Sequence, residues 1–360
     1  MSSLLRDRLG THILVADGAM GTMLQMHEPT DADFEGNLGC NEILNVTRPD
    51  VIADVHAKYL AAGADLIETN TFGANLTALT EYDSAHRIAE LAGAGARIAR
   101  QVADEYSSAN HPRFVLGSVG PGVRLPSLGQ VTFAELREGY ETQIAAMIEA
   151  GIDAVQIETC QDLLQVKAAV IGARRAMTRL GADVPVFVTI TVEMTGTMLL
   201  GTEVGAALAT LRALKVDAIG LNCATGPEQM REHLRVLSTE SDLPLACLPN
   251  AGLPELTPEG PRYPLAPEAL AAALNAYREE FGLAIVGGCC GTTPEHIKVL
   301  ADAVRDQAVP ARPAPEGSSV ASLYQAVSLK QDTAFLNVGE RTNANGSLAF
   351  RKAMLAQQWQ

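Results

Sequence analysis

The sequence has few aromatic residues and no long apolar run, and both shortages narrow the class of protein. Phe, Trp and Tyr make up 4% of its 360 residues. No segment reaches the ~18 uninterrupted apolar residues of a membrane span, and the N-terminus lacks the apolar core of a secretory signal. The formal net charge is −15, and no cluster of Lys and Arg suits a nucleic-acid backbone. We therefore predict a cytoplasmic globular protein that binds neither a membrane nor nucleic acid.

Cysteine is also scarce, yet two of the six cysteines are adjacent. Cys289 and Cys290 lie in the glycine-rich segment AIVGGCCGTTP at 284–294. In a reducing compartment such a pair is more often a metal ligand or a catalytic group than a structural disulfide. The alternatives are two small buried side chains or a strained vicinal disulfide. The pair alone leaves these readings open.

One pattern occurs eight times: a short β-branched run, a polar or glycine-rich turn, and an alanine-rich amphipathic segment. The predicted strands are 12–17, 64–70, 113–119, 153–159, 184–192, 218–223, 244–250 and 284–290. Predicted helices include 49–62, 132–150, 162–180, 227–237, 267–281 and 294–305. This alternation predicts an α/β fold, a (β/α)8 TIM barrel. A doubly wound sheet is the competitor, disfavoured because no phosphate-cradling glycine loop follows the first strand.

The character of the sequence changes after the eighth helix. Residues 307–319 are rich in Pro, Ala and Ser, which is typical of a linker. A strand-like run and a helix-like run follow, too short to bury a core of their own. We predict a barrel over 1–306, a linker over 307–334 and the incomplete start of another domain over 335–360.

In a barrel the loops after the strands meet at one mouth, so polar residues at strand ends are the candidate site. These residues are Asp17, Gly18, Glu68, Asn70, Ser118, Glu158, Glu193, Asn222, Cys223, Asn250, Cys289 and Cys290. Cys223 ends the sixth strand and the adjacent pair ends the eighth, so one metal ion can be reached by all three thiolates. Three thiolates favour a zinc site with an open fourth position, and such a soft, electron-rich zinc suits a sulfur ligand. The chemistry this favours is attack by a zinc-held substrate thiolate on an electrophilic carbon.

The carboxylates suggest what else the substrate carries. Asp17 and Glu158 suit an ammonium group, while the amides of Gly18, Ala19 and Met20 suit a carboxylate, so we predict an amino acid ligand. Glu68 could instead cap a helix or pair with an arginine, and its role stays open. Cys40, Cys160 and Cys247 are predicted to pack, although the role of Cys160, close to Glu158, also stays open. No histidine lies at a strand end.

Six motifs carry a family resemblance: ADGAMGTMLQ, IETNTFGAN, GSVGP, QIETCQD, GLNCATGP and GGCCGTTPEHI, in this order at six strand ends. Together they resemble the homocysteine S-methyltransferase family over residues 10–305, specifically the N-terminal modules of cobalamin-dependent methionine synthases. The resemblance implies zinc held by Cys223, Cys289 and Cys290 as the catalytic centre. It also implies a homocysteine pocket at Asp17 and Glu158, and Ser118 and Asn222 belong to the predicted pocket.

The C-terminal segment makes the resemblance more specific. NVGERTNANGS at 337–347 resembles the start of the methyltetrahydrofolate-binding barrel that follows in such enzymes. It implies folate-binding and cobalamin-binding modules as partners, with methylcobalamin held on a module outside this chain. A stand-alone enzyme using betaine or S-methylmethionine is the alternative. A zinc hydrolase would need His and Asp ligands, and a structural zinc site would need a fourth protein ligand that no strand end supplies.

Overall fold

The computed structural model describes residues 2–257, 260–305, 307–312, 314–315, 317–332, 335–337 and 343–358. Its strands are β1 (Leu14–Val15), β2 (Leu66–Glu68), β3 (Phe114–Val119), β4 (Ala154–Cys160), β5 (Val186–Ile190), β6 (Ala218–Asn222), β7 (Leu245–Leu248), β8 (Glu255–Thr257), β9 (Gly260–Arg262), β10 (Leu283–Val286), β11 (Ser319–Ala321) and β12 (Ala326–Ser328). Strands β1 to β7 and β10 form one parallel sheet in the order β1-β10-β7-β6-β5-β4-β3-β2. A parallel bridge between Ala16 and Leu66 joins the two ends of this sheet and closes the barrel.

Helices alternate with the barrel strands and cover the outside of the sheet. The described helices are α1 (Ser2–Leu9), α2 (Met20–Gln25), α3 (Leu44–Thr47), α4 (Pro49–Ala62), α5 (Leu76–Thr80), α6 (Ile88–Tyr106), α7 (Phe133–Glu149), α8 (Leu163–Leu180), α9 (Val204–Ala213), α10 (Pro227–Glu240), α11 (Pro267–Phe281), α12 (Pro294–Val304) and α13 (Leu348–Leu355), of which α1 and α13 lie outside this alternation. The predicted (β/α)8 barrel is confirmed. None of the described helices is long and apolar enough to cross a membrane.

Local signals in the sequence explain several helix ends. Helix α4 begins with Pro49 and stops before Gly63, whose φ of 113° only glycine adopts without strain. Helix α7 has a capping box, in which the Thr132 side chain accepts from the Glu135 N–H and Glu135 accepts from the Thr132 N–H. These two helices fall within about one residue of the predicted bounds because their start and stop signals are explicit.

The core has two layers, one inside the barrel and one between the sheet and its helices. The inner layer joins alternate strand residues, including Leu14, Phe114 and Phe187, to Leu5 and Leu9 of α1. Helix α1 therefore closes the amino-terminal end of the barrel. The outer layer is the larger cluster of aliphatic and alanine side chains. Because side-chain packing closes one end of the barrel, a functional site is expected at the mouth at the other end.

The C-terminal part shows more order than a linker pattern suggests. Strands β11 and β12 form an antiparallel hairpin inside the predicted linker. The hairpin lies on α9, where the Glu203 N–H donates to Tyr324 O (2.9 Å) and Gln325 Nε2 donates to Glu203 Oε1 (3.0 Å). Helix α13 matches the helix-like run at the end of the chain. Residues 338–342, the centre of the folate-module motif, lie outside the described residues.

Candidate metal and substrate site

Three cysteines converge at the mouth of the barrel. Cys223 directly follows β6, and Cys289 and Cys290 lie in the loop after β10. Their sulfur atoms all lie within 4.8 Å of one another, and the Cys223 and Cys290 sulfurs are 3.9 Å apart. All six cysteines are free, so the vicinal disulfide is not formed.

Backbone contacts hold the two cysteine loops against each other. The Cys289 N–H donates to Pro249 O (2.8 Å), and the Ala251 N–H donates to Cys290 O (2.9 Å). The Cys290 N–H donates to Asn250 Oδ1 (3.2 Å), and the Asn250 N–H donates to Thr225 O (3.0 Å), so the segment after β7 links the loops after β6 and β10. Cys223 itself adopts a left-handed backbone with φ of 59°. Such strain at a half-buried cysteine is typical of a functional position.

The donor set fits a zinc ion. Sulfur ligands at ~2.3 Å in a tetrahedral site lie roughly 3.8 Å apart, close to the 3.9 Å found between Cys223 and Cys290. Among the described residues no fourth His, Cys, Asp or Glu side chain joins this group. The described donor set is therefore three thiols, which is the number of protein ligands typical of catalytic zinc centres, whereas structural ones have four.

A pocket of buried carboxylates lies at the same mouth. Glu158, 6% exposed, accepts from Ser118 Oγ (2.5 Å) at one oxygen and from Asn222 Nδ2 (3.4 Å) at the other. Asp17, 3% exposed, accepts from the Glu68 N–H (3.0 Å). The structure thus joins the predicted residues Ser118, Glu158 and Asn222 by hydrogen bonds and places Asp17 close enough to Glu158 for the two carboxyls to repel each other.

The pocket is electrostatically unbalanced. Burial, together with mutual repulsion, raises the pKa of Asp17 and of Glu68 well above their usual values. Burial and the nearby Cys290 raise the pKa of Glu158 to about 7, although the Ser118 hydrogen bond opposes the shift. Within the described part of the chain, no Lys, Arg or His forms an ion pair with any of these three carboxylates. A positively charged group on a ligand would stabilise the ionised form of these carboxyls.

The backbone around Gly18 is close-packed. A Cβ on Gly18 would lie 2.5 Å from Thr292 Oγ1 and 3.0 Å from the Tyr59 hydroxyl, so only glycine fits. The Ala19 N–H, one of the amides predicted to bind a ligand carboxylate, donates to Thr292 Oγ1 (3.2 Å) in this structure. Among the described residues the amides of Gly18 and Met20 have no such protein acceptor.

One contributor to the site had no assigned role in the sequence analysis, and another was not predicted at all. Glu68 lies beside Asp17, although its role was left open. Tyr263, from the segment after β9, packs its ring on Gly291, where an added Cβ would lie 2.2 Å from the ring. Twenty-seven residues separate Tyr263 from Cys290, and no local pattern connects them. Cys40, Cys160 and Cys247 are buried and apart from the thiol cluster, as predicted.

The rim of the mouth carries exposed apolar side chains on several of the segments that follow barrel strands. Large apolar side chains that are 38–92% exposed lie on loops after β1, β2, β3, β5 and β7. They are Met26, Leu38, Phe72, Val123, Leu128, Met194, Leu199, Leu253 and Leu256. Exposed apolar side chains on several loops of one barrel end suit an interaction surface.

Comparison with known proteins gives consistent matches. Residues 14–304 match the homocysteine S-methyltransferase family. The chain is 55% identical over 356 residues to methionine synthase of Mycobacterium tuberculosis and 55% identical over 361 residues to that of Mycobacterium leprae. Each alignment covers 99% of this chain but 30% of the relative. The metallated form of the Escherichia coli homocysteine methyltransferase MmuM shares the fold, with a TM-score of 0.66, 24% identity, and coverage of 83% of this chain and 98% of that one.

Proposed function

Because the chain belongs to the homocysteine S-methyltransferase family, we propose that it binds homocysteine and prepares the homocysteine sulfur for methylation to methionine. The observation that carries this proposal is the placement of three thiols beside a pocket of buried carboxylates at one barrel mouth. The thiols suit a metal that takes a sulfur ligand, and the carboxylates suit the ammonium group of an amino acid. Homocysteine carries both groups in one small molecule.

Cys223, Cys289 and Cys290 would hold the zinc ion. When bound there, zinc would accept the substrate sulfur as its fourth ligand and keep that sulfur ionised and nucleophilic at neutral pH. A hydrolytic role is disfavoured by the ligand type, because three thiolates make zinc a poor activator of water. All three thiols must stay reduced, which suits the cytoplasm.

The residues around the thiols orient the amino acid part of the substrate. Asp17 and Glu158 would accept hydrogen bonds from the ammonium group. Ser118 and Asn222 fix the orientation of the Glu158 carboxylate from its two sides. The free amides of Gly18 and Met20 are available for the substrate carboxylate. Holding both ends of the backbone leaves the sulfur directed toward the cysteines and the rim.

We infer that the methyl donor is methylcobalamin carried by another module. The apolar rim around the mouth supports a macromolecular partner, because such a surface is stable when covered. The chain spans 30% of the length of the curated relatives, which leaves room for folate-binding and cobalamin-binding modules. The division into a barrel over 1–306, a linker over 307–334 and the start of a folate-binding domain over 335–360 belongs to this proposal.

Metal analysis, thiol binding and turnover test the proposal together. We expect about one zinc per chain, tight binding of homocysteine, and weaker binding of 1-butanethiol, which lacks the amino acid groups. Homocysteine should be methylated when free methylcobalamin is added. Turnover with betaine or S-methylmethionine but not with methylcobalamin would favour the stand-alone alternative. Equal affinity for the two thiols, or protein that binds no zinc, would overturn the proposal.

A further inference from the structure

Glu68 is a half-buried carboxylate at the mouth, and its side chain has no evident structural role. It ends β2, two residues after Leu66, whose side chain lies inside the barrel. Side chains alternate along a strand, so Glu68 faces the same interior. Its Oε1 atom is buried and has no hydrogen-bond partner among the described residues. A buried polar atom without a partner costs free energy, so its retention calls for an explanation.

The surroundings of Glu68 contain acceptors rather than donors. Its backbone N–H donates to Asp17 Oδ2 (3.0 Å), which places the first and second strands side by side at this point. Repulsion from Asp17 and Glu158 adds to burial in raising the pKa of the Glu68 carboxyl. Three strands, β1, β2 and β4, thus contribute one carboxyl each to a single region.

The number of these acceptors matches one chemical group. A primary ammonium has three N–H donors, and each can point to a different acceptor. Asp17 and Glu158 supply two acceptors, and the buried Oε1 of Glu68 supplies a third. An N-methylated amine has only two N–H donors, so one buried carboxylate would stay unpaired.

We propose that Glu68 is a specificity-determining residue, the third acceptor for the substrate ammonium, and selects amino acids whose α-amine is unsubstituted. This inference rests on the proposed homocysteine function and deepens it. It predicts that the chain distinguishes homocysteine from N-methylhomocysteine through this one side chain.

The experiment compares three thiols on matched variants of the zinc-loaded chain by calorimetry. The ligands are homocysteine, N-methylhomocysteine and 1-butanethiol. Glu68→Gln should weaken homocysteine binding about 10- to 100-fold, the range for a hydrogen bond to a charged group. It should leave 1-butanethiol unchanged and remove most of the preference for homocysteine over its N-methyl form. Zinc content should not change.

Glu42→Gln is the matched control. Glu42 is a buried carboxylate on the mouth side, 8% exposed, and unlike Glu68 it accepts from the protein, from the Gly73 N–H (2.7 Å). Its replacement should lower thermal stability and leave the ratios between the three thiols unchanged. Glu68→Leu is a second test variant, because replacing a carboxyl whose Oε1 is buried and unpaired with an apolar group should raise the thermal stability of the ligand-free protein.

The outcomes separate this inference from the proposed function. If the wild-type chain does not prefer homocysteine to 1-butanethiol, the proposed function fails and this inference fails with it. If the wild type prefers homocysteine but Glu68→Gln and Glu68→Leu keep the full preference over N-methylhomocysteine, only the role of Glu68 is overturned. Equal losses for all three thiols would also overturn it, because they would show a structural role.

Discussion

The lower half of the barrel interior is filled with aliphatic and aromatic side chains, whereas the upper half is lined by carboxylates, hydroxyls, amides and thiols. Phe114 and Phe187 are about 99–100% buried in the lower layer, beside Leu5 of α1. Four residues after Phe114, Ala154 and Ala218 of this layer, the buried side chains are Ser118, Glu158 and Asn222. The same eight strands therefore carry two environments with opposite chemistry.

Along the barrel axis, the lower half therefore contributes mainly to stability and the upper half to the candidate site. Burial of apolar area in the lower layer stabilises the fold by roughly 25 cal/mol per Å². Burial of carboxylates without cations in the upper layer opposes folding, because each must keep a proton or stay poorly solvated. The lower layer offsets this cost, and a ligand with a positive charge removes it. The comparison predicts that changes in the two halves have separable effects.

The largest separation should appear for metal binding. Cys289→Ala and Cys290→Ala each remove one of three proposed ligands but little core volume, so zinc binding should be lost while the barrel still folds. Changes in residues that merely support a metal ligand cost about 10- to 100-fold in affinity, so losing a ligand should cost more. Metal analysis after dialysis against a chelator measures this. Stoichiometric zinc in either variant would exclude that cysteine as a ligand.

The complementary test in the lower half of the barrel is Phe114→Ala. It should lower the free energy of unfolding by about 3–5 kcal/mol, the usual cost of removing a buried aromatic side chain. Zinc content at a temperature where the variant stays folded should match the wild type. Loss of zinc from folded Phe114→Ala would show that the two halves are coupled rather than separate.

The sequence predicts most of the barrel because its signals are local. Period, turn residues and helix caps located the eight strands and the predicted helices, and the family resemblance and the methyltransferase class are confirmed. The strand ends are less certain: β10 stops at Val286, so Cys289 and Cys290 lie in a loop rather than on the predicted strand. Glycines 287 and 288 favour an irregular backbone there.

What the sequence does not predict depends on contacts between distant segments. The Ala19 N–H donates to the side chain of Thr292, 273 residues later in the chain, and no local sequence pattern predicts this contact. Tyr263 meets Gly291 only because the loops after β7 and β10 are neighbours in the closed barrel. The interior placement of Glu68 follows from strand alternation once the register is known. The zinc ligands and the pocket residues stay predictions to be tested.

A smaller effect than zinc loss is expected from the carboxylates of the upper half. Asp17→Asn and Glu158→Gln should each weaken homocysteine binding by about 1.5–3 kcal/mol, the range for hydrogen bonds to charged groups. Zinc content should stay the same, because neither residue is a proposed ligand. Binding of 1-butanethiol, measured by calorimetry, should change little. Equal losses for both thiols would instead indicate that these residues support the rim of the barrel.

The smallest expected effect is a difference in proton release between two thiols. A thiol with a pKa near 8.5 is mostly protonated at pH 7, so coordination of its sulfur should release close to one proton. Homocysteine should release more than 1-butanethiol, because its ammonium lowers the raised pKa values of the pocket carboxyls and displaces protons they hold. Glu158, with a pKa of about 7 in the free pocket, contributes below that pH and is already ionised above it. The extra proton release by homocysteine should therefore shrink as the pH rises through 7, and it should be smaller in Glu158→Gln.

Calorimetry in buffers of different ionisation enthalpy measures the number of protons released by each thiol. Equal release by the two thiols at pH 6.5 would mean that the upper half of the barrel does not exchange protons for the substrate ammonium.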